Sequence, residues 1–193
     1  MACLSMDLCS GECPVTSTAA HSPPTRLAAD PAAVAALAIA AVAAATLAGA
    51  WFFQLVLDIR PCPLCLEQRY AYYLALPLAL LVAFAAARGA PRQVVLAGFA
   101  VLLLAAFANA WLGGYHAGVE WKFWEGPTDC SGPVVDLGSA GTLLQRLDSV
   151  KVIRCDEVQW RFLGLSLAGY NVLISLLMAV MAVWGIVAAK RAA

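Results

Sequence analysis

The chain has 193 residues, 63% of them hydrophobic and only 12% charged, and its 12 basic and 12 acidic side chains cancel. The apolar share is far above that of soluble globular domains, and a net charge of zero offers no attraction to nucleic acid. About 20 apolar residues cross the ~30 Å hydrocarbon core of a bilayer as a helix. Four stretches without a charged residue are long enough to do so: residues 31–57, 70–87, 93–119 and 162–189. The composition therefore excludes a soluble domain and predicts an integral membrane protein.

Residues 1–30 are predicted to be a disordered cytoplasmic tail, because they are polar, contain Ser, Thr and Pro, and lack hydrophobic periodicity. The tail contains Cys3, Cys9 and Cys13. The spacing of Cys9 and Cys13 could chelate a metal, but no second pair completes a site, so we interpret all three as incidental thiols. Residues 31–193 are predicted to form one domain.

The predicted fold is an all-α membrane protein, a bundle of four transmembrane helices with a long extracytoplasmic loop between helices 3 and 4. Helix 1 is interpreted as an uncleaved signal-anchor, because its apolar run exceeds a signal-peptide core and only Arg26 precedes it as a basic residue. Pro77 is expected to kink helix 2. The predicted bounds are Ala32–Leu57, Cys65–Ala87, Gln93–Gly114 and Phe162–Ala189.

The long loop covers Gly114–Arg161. Within it, apolar residues three to four apart over Val134–Val150 suggest a short amphipathic helix lying on the membrane. A small turn-packed loop explains the same residues equally well, and the sequence leaves both possibilities open.

The orientation follows from the basic residues. Four spans place both termini and the turn between helices 2 and 3 on one side of the membrane. That side is predicted to be cytoplasmic by the positive-inside rule; its basic residues are Arg26, Arg88, Arg92, Lys190 and Arg191. The two cysteine-bearing loops then face an oxidising compartment, where disulfides persist.

The loop between helices 1 and 2 contains a C-x-x-C pair, Cys62 and Cys65, alternating with Pro61 and Pro63. A structural disulfide or half of a zinc site is the alternative, but closing so short a loop stabilises a fold little, so a redox role is favoured. The first turn of a helix favours a thiolate, so Cys65 is predicted to be the more acidic thiol and Cys62 the one that exchanges. Arg69 lies on the same helical face as Cys65 and can add a positive charge, or it snorkels to the interface.

Cys130 and Cys155 lie 25 positions apart in a loop containing Gly, Ser and Pro. Such a loop is flexible enough for the pair to close, to open and to be reached by another protein; a purely structural disulfide is the alternative. Two extracytoplasmic pairs permit a relay in which a thiolate attacks one disulfide and passes electrons to the next.

These motifs resemble the disulfide bond formation protein B family (DsbB). The resemblance rests on Cys62-Pro-Leu-Cys65-x-x-Gln68-Arg69 at the start of helix 2, on Cys130, and on Cys155-x4-Trp160-x-Phe162-Leu163-Gly164-x-Ser166 before helix 4. The segment Tyr115–Cys130 is similar to one branch of the family. The resemblance covers about Ala32–Lys190 and does not account for the cysteine-bearing tail.

The resemblance implies a bacterial inner-membrane enzyme that reoxidises a periplasmic thioredoxin-fold oxidase (DsbA-like) and passes the electrons to ubiquinone or menaquinone. It implies that Cys130 forms the mixed disulfide with this partner. Cys155 would resolve that disulfide or pass electrons to Cys62. Cys65 would face the quinone, with Arg69 stabilising the developing quinone anion.

His116 is the only histidine close to a predicted span. It could hydrogen-bond a quinone carbonyl or donate a proton, and an interfacial histidine without such a role is the alternative. Together with Cys65 and Arg69, it forms the candidate quinone-contacting set.

Two other hypotheses remain. One is a membrane protein whose Cys62, Cys65, Cys130 and Cys155 bind structural zinc, although such sites usually use two close-spaced pairs and the second pair here is not close-spaced. The other is a vitamin K epoxide reductase-like protein, for which we expect the C-x-x-C pair late in the bundle, whereas here it precedes helix 2.

Overall fold

The computed structural model describes residues 30–127 and 154–191. This part of the chain contains four long helices, α1 (Pro31–Leu55), α2 (Pro63–Ala87), α3 (Arg92–Glu120) and α4 (Leu167–Arg191). Each of them is long and apolar enough to cross a membrane. The predicted four-helix membrane bundle is therefore confirmed. The predicted tail, Cys130 and the predicted surface helix over Val134–Val150 lie outside the described residues, apart from Asp30.

The first two helices begin with proline and a capping side chain. Asp30 accepts a hydrogen bond from the Ala32 N–H at 2.9 Å ahead of Pro31. Pro63 is the first residue of α2, where a missing N–H costs nothing. Helix 2 therefore begins two residues before its predicted start at about Cys65. Pro77 lies inside α2 without ending it.

Helix α3 continues six residues beyond the predicted end at Gly114. Gly113 lies inside the helix, where its missing side chain allows α4 to pack closely. A Cβ atom on Gly113 would lie 2.9 Å from Asn171 Nδ2 of α4, so a larger residue would force a shift here. The extension places His116 inside α3, whereas the sequence predicted a position just after the end of the helix.

Helix α4 begins at Leu167, five residues later than predicted. The residues before it form an antiparallel hairpin of β1 (Arg161–Phe162) and β2 (Leu165–Ser166). The two residues of its turn, Leu163 and Gly164, both have positive φ, at 48° and 83°. Positive φ at both positions is the backbone of a tight hairpin turn, which the hydrophobic pattern did not reveal.

Small residues allow the helices to pack closely. The buried face of α1 consists mainly of alanines spaced three to four apart, together with Ile39 and Leu47. Small side chains at helix contacts are typical of membrane bundles, where van der Waals packing must replace the hydrophobic effect.

A buried polar cluster also joins three of the helices. Tyr72 of α2 donates to Asn171 Oδ1 of α4, and Asn109 Nδ2 of α3 donates to Asn171 Oδ1 at 3.1 Å and to Ser175 Oγ at 3.0 Å. All four residues are buried. Such bonds fix the relative register of α2, α3 and α4 below the cysteine-bearing end of the bundle.

Candidate functional site

The dithiol Cys62 and Cys65 lies where α2 begins. Both cysteines are free, and their sulfur atoms are 2.9 Å apart. Cys62 is the N-cap residue of α2, with extended backbone, and its Sγ accepts a hydrogen bond from the Cys65 N–H at 3.3 Å. The sulfur of Cys62 therefore takes the position that a serine or aspartate oxygen occupies at an ordinary helix start.

His116 approaches the dithiol from α3. Its Nε2 atom lies 3.6 Å from Cys62 Sγ, and its Nδ1 atom lies 3.0 Å from Gln68 Nε2. Because the Gln68 amide donates to Nδ1, Nε2 carries the ring proton in the neutral imidazole and can donate it to the sulfur. Both His116 and Gln68 are buried, so solvent does not compete for these contacts.

These contacts lower the pKa of Cys62 from 9.0 to about 5. The largest cause is the hydrogen bond from the Cys65 side chain; burial opposes the shift, and His116 adds to it. The prediction that Cys65 is the more acidic thiol is therefore wrong for this reduced state. The groups that stabilise a thiolate converge on Cys62, because the helix begins at Pro63 and Cys62 is its cap.

Cys155 lies beside the dithiol in the folded protein. Cys62 and Cys155 are 2% and 1% exposed and belong to one buried cluster with Leu64 and Val119. Cys155 is disulfide-bonded. Its predicted partner Cys130 lies outside the described residues, so the predicted pair stays a prediction.

An ion cluster holds the segment that carries Cys155 against the end of α3. Lys122 and Arg154 both form ion pairs with Asp156 Oδ2, the next residue after Cys155. Lys122 and then Arg154 lower the pKa of Asp156 by hydrogen bonding to its carboxylate. The pairs are solvent-exposed and contribute little stability, but they fix where the Cys155 segment sits.

Arg69 is held by α1. Its Nη1 donates to Gln54 Oε1 at 2.7 Å and its Nη2 to the Ala50 carbonyl at 3.4 Å, and the guanidinium lies 5.7 Å from the centre of the Trp51 ring. Within the described residues, no hydrogen bond joins Arg69 to the sulfur of Cys65. The arginine and Cys65 nevertheless line the same cavity.

This cavity, of about 570 Å³, lies beside the dithiol and is lined by residues of all four helices, of the α1–α2 loop and of the segment around Cys155. Cys62, Cys65, Arg69 and His116 contribute to its wall, and most of the remaining lining is apolar. Its size is within the range of about 300–1,000 Å³ typical of small-molecule sites. Apolar walls with a few convergent polar groups suit a hydrophobic ligand that carries a polar head.

Three possible metal ligands also come together here. The ligand atoms of Cys62, Cys65 and His116 lie within 4.8 Å of one another. The predicted zinc alternative requires a free thiolate from Cys155 as well, whereas Cys155 is disulfide-bonded. The four-cysteine zinc site is therefore not what this structure assembles.

Three residues of the site were not predicted from the sequence. Gln68 orients His116, Gln54 holds Arg69, and Glu120 lies one helical turn after His116 and lines the cavity. Gln68 belongs to the motif that begins with the C-x-x-C pair. The four-residue spacing of His116 and Glu120 indicates a shared helical face, but helix 3 was predicted to end before both residues. Nothing in the sequence alone links Gln54 to Arg69, since the contact joins two helices.

Comparison with known proteins agrees with this geometry. A family model described as "Disulfide bond formation protein DsbB" matches residues 32–185. A disulfide bond formation protein B of Aromatoleum aromaticum is 33% identical over 164 residues, covering 80% of this chain and 92% of the relative. One of Azoarcus sp. is 30% identical over 162 residues, covering 77% and 88%, and one of Marinobacter nauticus is 33% identical over 141 residues, covering 67% and 77%.

The matched region contains α2 and α3 in full, nearly all of α1, α4 up to residue 185, the dithiol, His116 and Cys155. A reduced C-x-x-C pair at a helix start is packed against a disulfide-bonded cysteine in a four-helix membrane bundle, and this arrangement is compatible with disulfide exchange. This chain is a multi-pass membrane protein of disulfide bond formation and belongs to the disulfide bond formation protein B family.

Proposed function

We propose that this protein reoxidises a periplasmic DsbA-like thiol oxidase and passes the electrons to a membrane quinone, ubiquinone or menaquinone, through two cysteine pairs. The observation that carries the proposal is the position of the dithiol. Cys62 packs against Cys155 in one buried cluster, while Cys62 and Cys65 also line the apolar cavity. A pair with these neighbours can accept electrons from a disulfide partner and deliver them to a hydrophobic ligand.

The first exchange takes place at the outer pair. A thiolate of the reduced partner attacks Cys130 in the Cys130–Cys155 disulfide, forming a mixed disulfide and releasing Cys155 as a thiolate. The partner's second thiol then resolves the mixed disulfide, so the partner leaves oxidised and the outer pair holds two electrons. Each step exchanges one sulfur–sulfur bond for another.

The second exchange transfers those electrons to the inner pair. The Cys155 thiolate attacks Cys62 in the Cys62–Cys65 disulfide, breaking that bond, and Cys130 then displaces Cys62 to restore the outer disulfide. The state described here, with Cys155 disulfide-bonded and Cys62 and Cys65 free, corresponds to the product of this exchange. The low pKa of Cys62 stabilises it as the thiolate that departs in the last step.

The wall of the cavity fits a quinone. It offers the Cys65 sulfur, the Arg69 guanidinium and the His116 ring beside a largely apolar surface. A quinone supplies the acceptor for two electrons and two protons when the dithiol closes to a disulfide. Arg69 provides a fixed positive charge that favours charge developing on a bound oxygen, and Gln54 and Ala50 hold that charge in place.

The proposed location is the bacterial inner membrane, with both cysteine pairs on the periplasmic side. Cys62, Cys65 and Cys155 lie at one end of the bundle. Arg88 and Arg92 flank the turn between α2 and α3 at the opposite end, and Lys190 and Arg191 end α4 there. Such a distribution of basic residues is typical of a cytoplasmic face.

The proposal is tested with purified protein, a reduced DsbA-like partner and quinone in one reaction. Quinone absorbance and partner thiols are followed together. We expect one quinone to be reduced for each partner disulfide formed. When quinone and oxygen are withheld, partner oxidation should stop after the first turnover. Partner oxidation that continues without quinone loss would contradict the proposal.

A further inference from the structure

Glu120 is a buried acidic residue for which the electron path gives no role. It is the last residue of α3, and its side chain is 6% exposed. One carboxylate oxygen, Oε1, lies 4.0 Å from His116 Nε2. The other, Oε2, is buried and has no hydrogen-bond partner among the described residues. A buried carboxylate oxygen without a donor is an open acceptor for a proton.

The charged and titratable groups around Glu120 come from every side of the site. His116 faces it from its own helix, Cys62 from the α1–α2 loop and Cys65 from α2. Arg161 of β1 acts on it at longer range, and Ser166 of β2 lies close to the carboxyl group. The carboxyl group thus lies between the dithiol and the hairpin, and it lines the cavity.

His116 is positioned to connect Cys62 with Glu120. The Gln68 amide occupies Nδ1 at 3.0 Å, so Nε2 is the nitrogen that faces both the sulfur at 3.6 Å and the carboxylate at 4.0 Å. A small rotation of the imidazole shortens one distance or the other. Because Nε2 carries the only proton of the neutral ring, it can donate to one of the two groups at a time, so a thiolate on Cys62 leaves the Glu120 carboxylate without a donor from the ring.

We propose that Glu120 takes up one proton when the inner disulfide is reduced and Cys62 is left as a thiolate, and returns that proton when the dithiol is reoxidised. The inference rests on the proposed function, because the return step requires a quinone as oxidant. In that step the Cys62 thiolate, the Cys65 thiol, the protonated Glu120 and the quinone give the Cys62–Cys65 disulfide, the Glu120 carboxylate and the quinol. Two electrons leave the sulfurs, and the two protons come from Cys65 and Glu120.

The test measures protons without any quinone. The full chain in detergent is reduced at pH 7 by a trialkylphosphine, which takes oxygen from water while the two hydrogens go to the sulfurs. A thiol that then ionises releases its proton to solvent unless an internal group accepts it. Proton release and ultraviolet thiolate absorbance are compared for wild-type protein, Glu120→Gln and Glu125→Gln, the last being an exposed carboxylate on the following loop. The other cysteines contribute equally to all three proteins.

We expect Glu120→Gln to release about one proton more per chain than wild-type protein, or to lose the Cys62 thiolate absorbance, because the proton has no internal acceptor. Glu125→Gln should match wild-type protein. Proton release and thiolate absorbance both equal to wild type in Glu120→Gln would overturn the proposal.

If Glu120→Gln cannot be obtained as folded protein, an infrared difference spectrum between the oxidised and reduced protein tests the same proposal. Reduction of wild-type protein should create a protonated-carboxyl band that Glu125→Gln retains, and absence of this band would also overturn the proposal. Because no quinone is present in either measurement, failure here leaves the proposed quinone reaction standing. Failure of quinone reduction with intact proton uptake would instead refute only the proposed function.

Discussion

Cys62 Sγ lies 3.6 Å from His116 Nε2, although 54 positions separate the two residues in the chain. The contact joins the start of α2 to the last turns of α3. It places a potential cation beside the sulfur that already caps a helix, so that two independent effects favour the thiolate at one atom. The acidity of Cys62 and its response to pH depend on this contact.

Replacing His116 should make Cys62 less acidic. In His116→Ala the sulfur keeps its Cys65 hydrogen bond but loses the imidazole, so we expect the pKa of Cys62 to rise from about 5 by on the order of one pH unit. The measurement is thiolate absorbance of the reduced protein against pH. Tyr170→Phe, at the other side of the cavity, is the control and should titrate as wild type. An unchanged titration in His116→Ala would show that the imidazole does not stabilise the sulfur.

The low pKa of Cys62 also sets how the reduced protein responds to pH. A thiol whose folded pKa lies below its unfolded pKa contributes stability that is fully present above the unfolded value of about 9. This contribution declines as the pH falls and is lost near pH 5. We therefore expect the melting temperature of reduced protein, relative to Cys62→Ser, to fall steadily between pH 8 and about 5. A constant difference over this range would contradict the assignment.

The helices and the cysteine positions could be predicted from the sequence because they follow from local patterns. Four uncharged apolar runs require four spans, and the C-x-x-C pair lies in the short loop between the first two. The register within the motif could not be predicted in this way. Whether Cys62 or Cys65 receives the helix N–H depends on where α2 begins. Pro63 is its first residue, so α2 begins two residues before the predicted start.

Contacts between helices were beyond the reach of the sequence for a similar reason. Helix 3 was predicted to end at about Gly114, yet α3 continues to Glu120, and the missing side chain of Gly113 allows α4 to pack closely. Ending helix 3 early hid the shared face of His116 and Glu120. Gln54 and Arg69 lie on different helices, and only the packing of α1 on α2 shows that they meet.

Gln54 should affect quinone use through Arg69. Gln54→Leu removes the 2.7 Å acceptor from the guanidinium, and a hydrogen bond to a charged group contributes about 1.5–3 kcal/mol. We expect the KM for quinone to rise roughly tenfold or more while the KM for the protein partner stays within about twofold. Gln54→Glu keeps an oxygen acceptor but offsets the positive charge of Arg69, so it should also raise the KM for quinone. Equal changes in both KM values would indicate general damage to the bundle.

The buried polar cluster should contribute to the stability of the bundle. Asn171→Leu removes the acceptor shared by Tyr72 and Asn109. Hydrogen bonds between membrane helices contribute about 0.6 kcal/mol on average and up to about 1.7, so the variant should lose about 1–3 kcal/mol of unfolding free energy. Leu173→Val, at an exposed position on the same helix, is the control. Unfolding in denaturing detergent measures the stability of both variants. Equal stability of Asn171→Leu and wild type would show that the cluster does not stabilise the packing of α2, α3 and α4.

The electron path through the inner pair is tested most directly with Cys65→Ser in a single turnover with reduced partner and quinone. This variant retains Cys130 and Cys155, so it should still form the mixed disulfide with the partner, which a non-reducing gel detects after acid quenching. Quinone absorbance should stay unchanged over the time in which wild-type protein completes its turnover. Quinone reduction at the wild-type rate by Cys65→Ser would contradict the passage of electrons from Cys155 through the Cys62–Cys65 pair to the cavity.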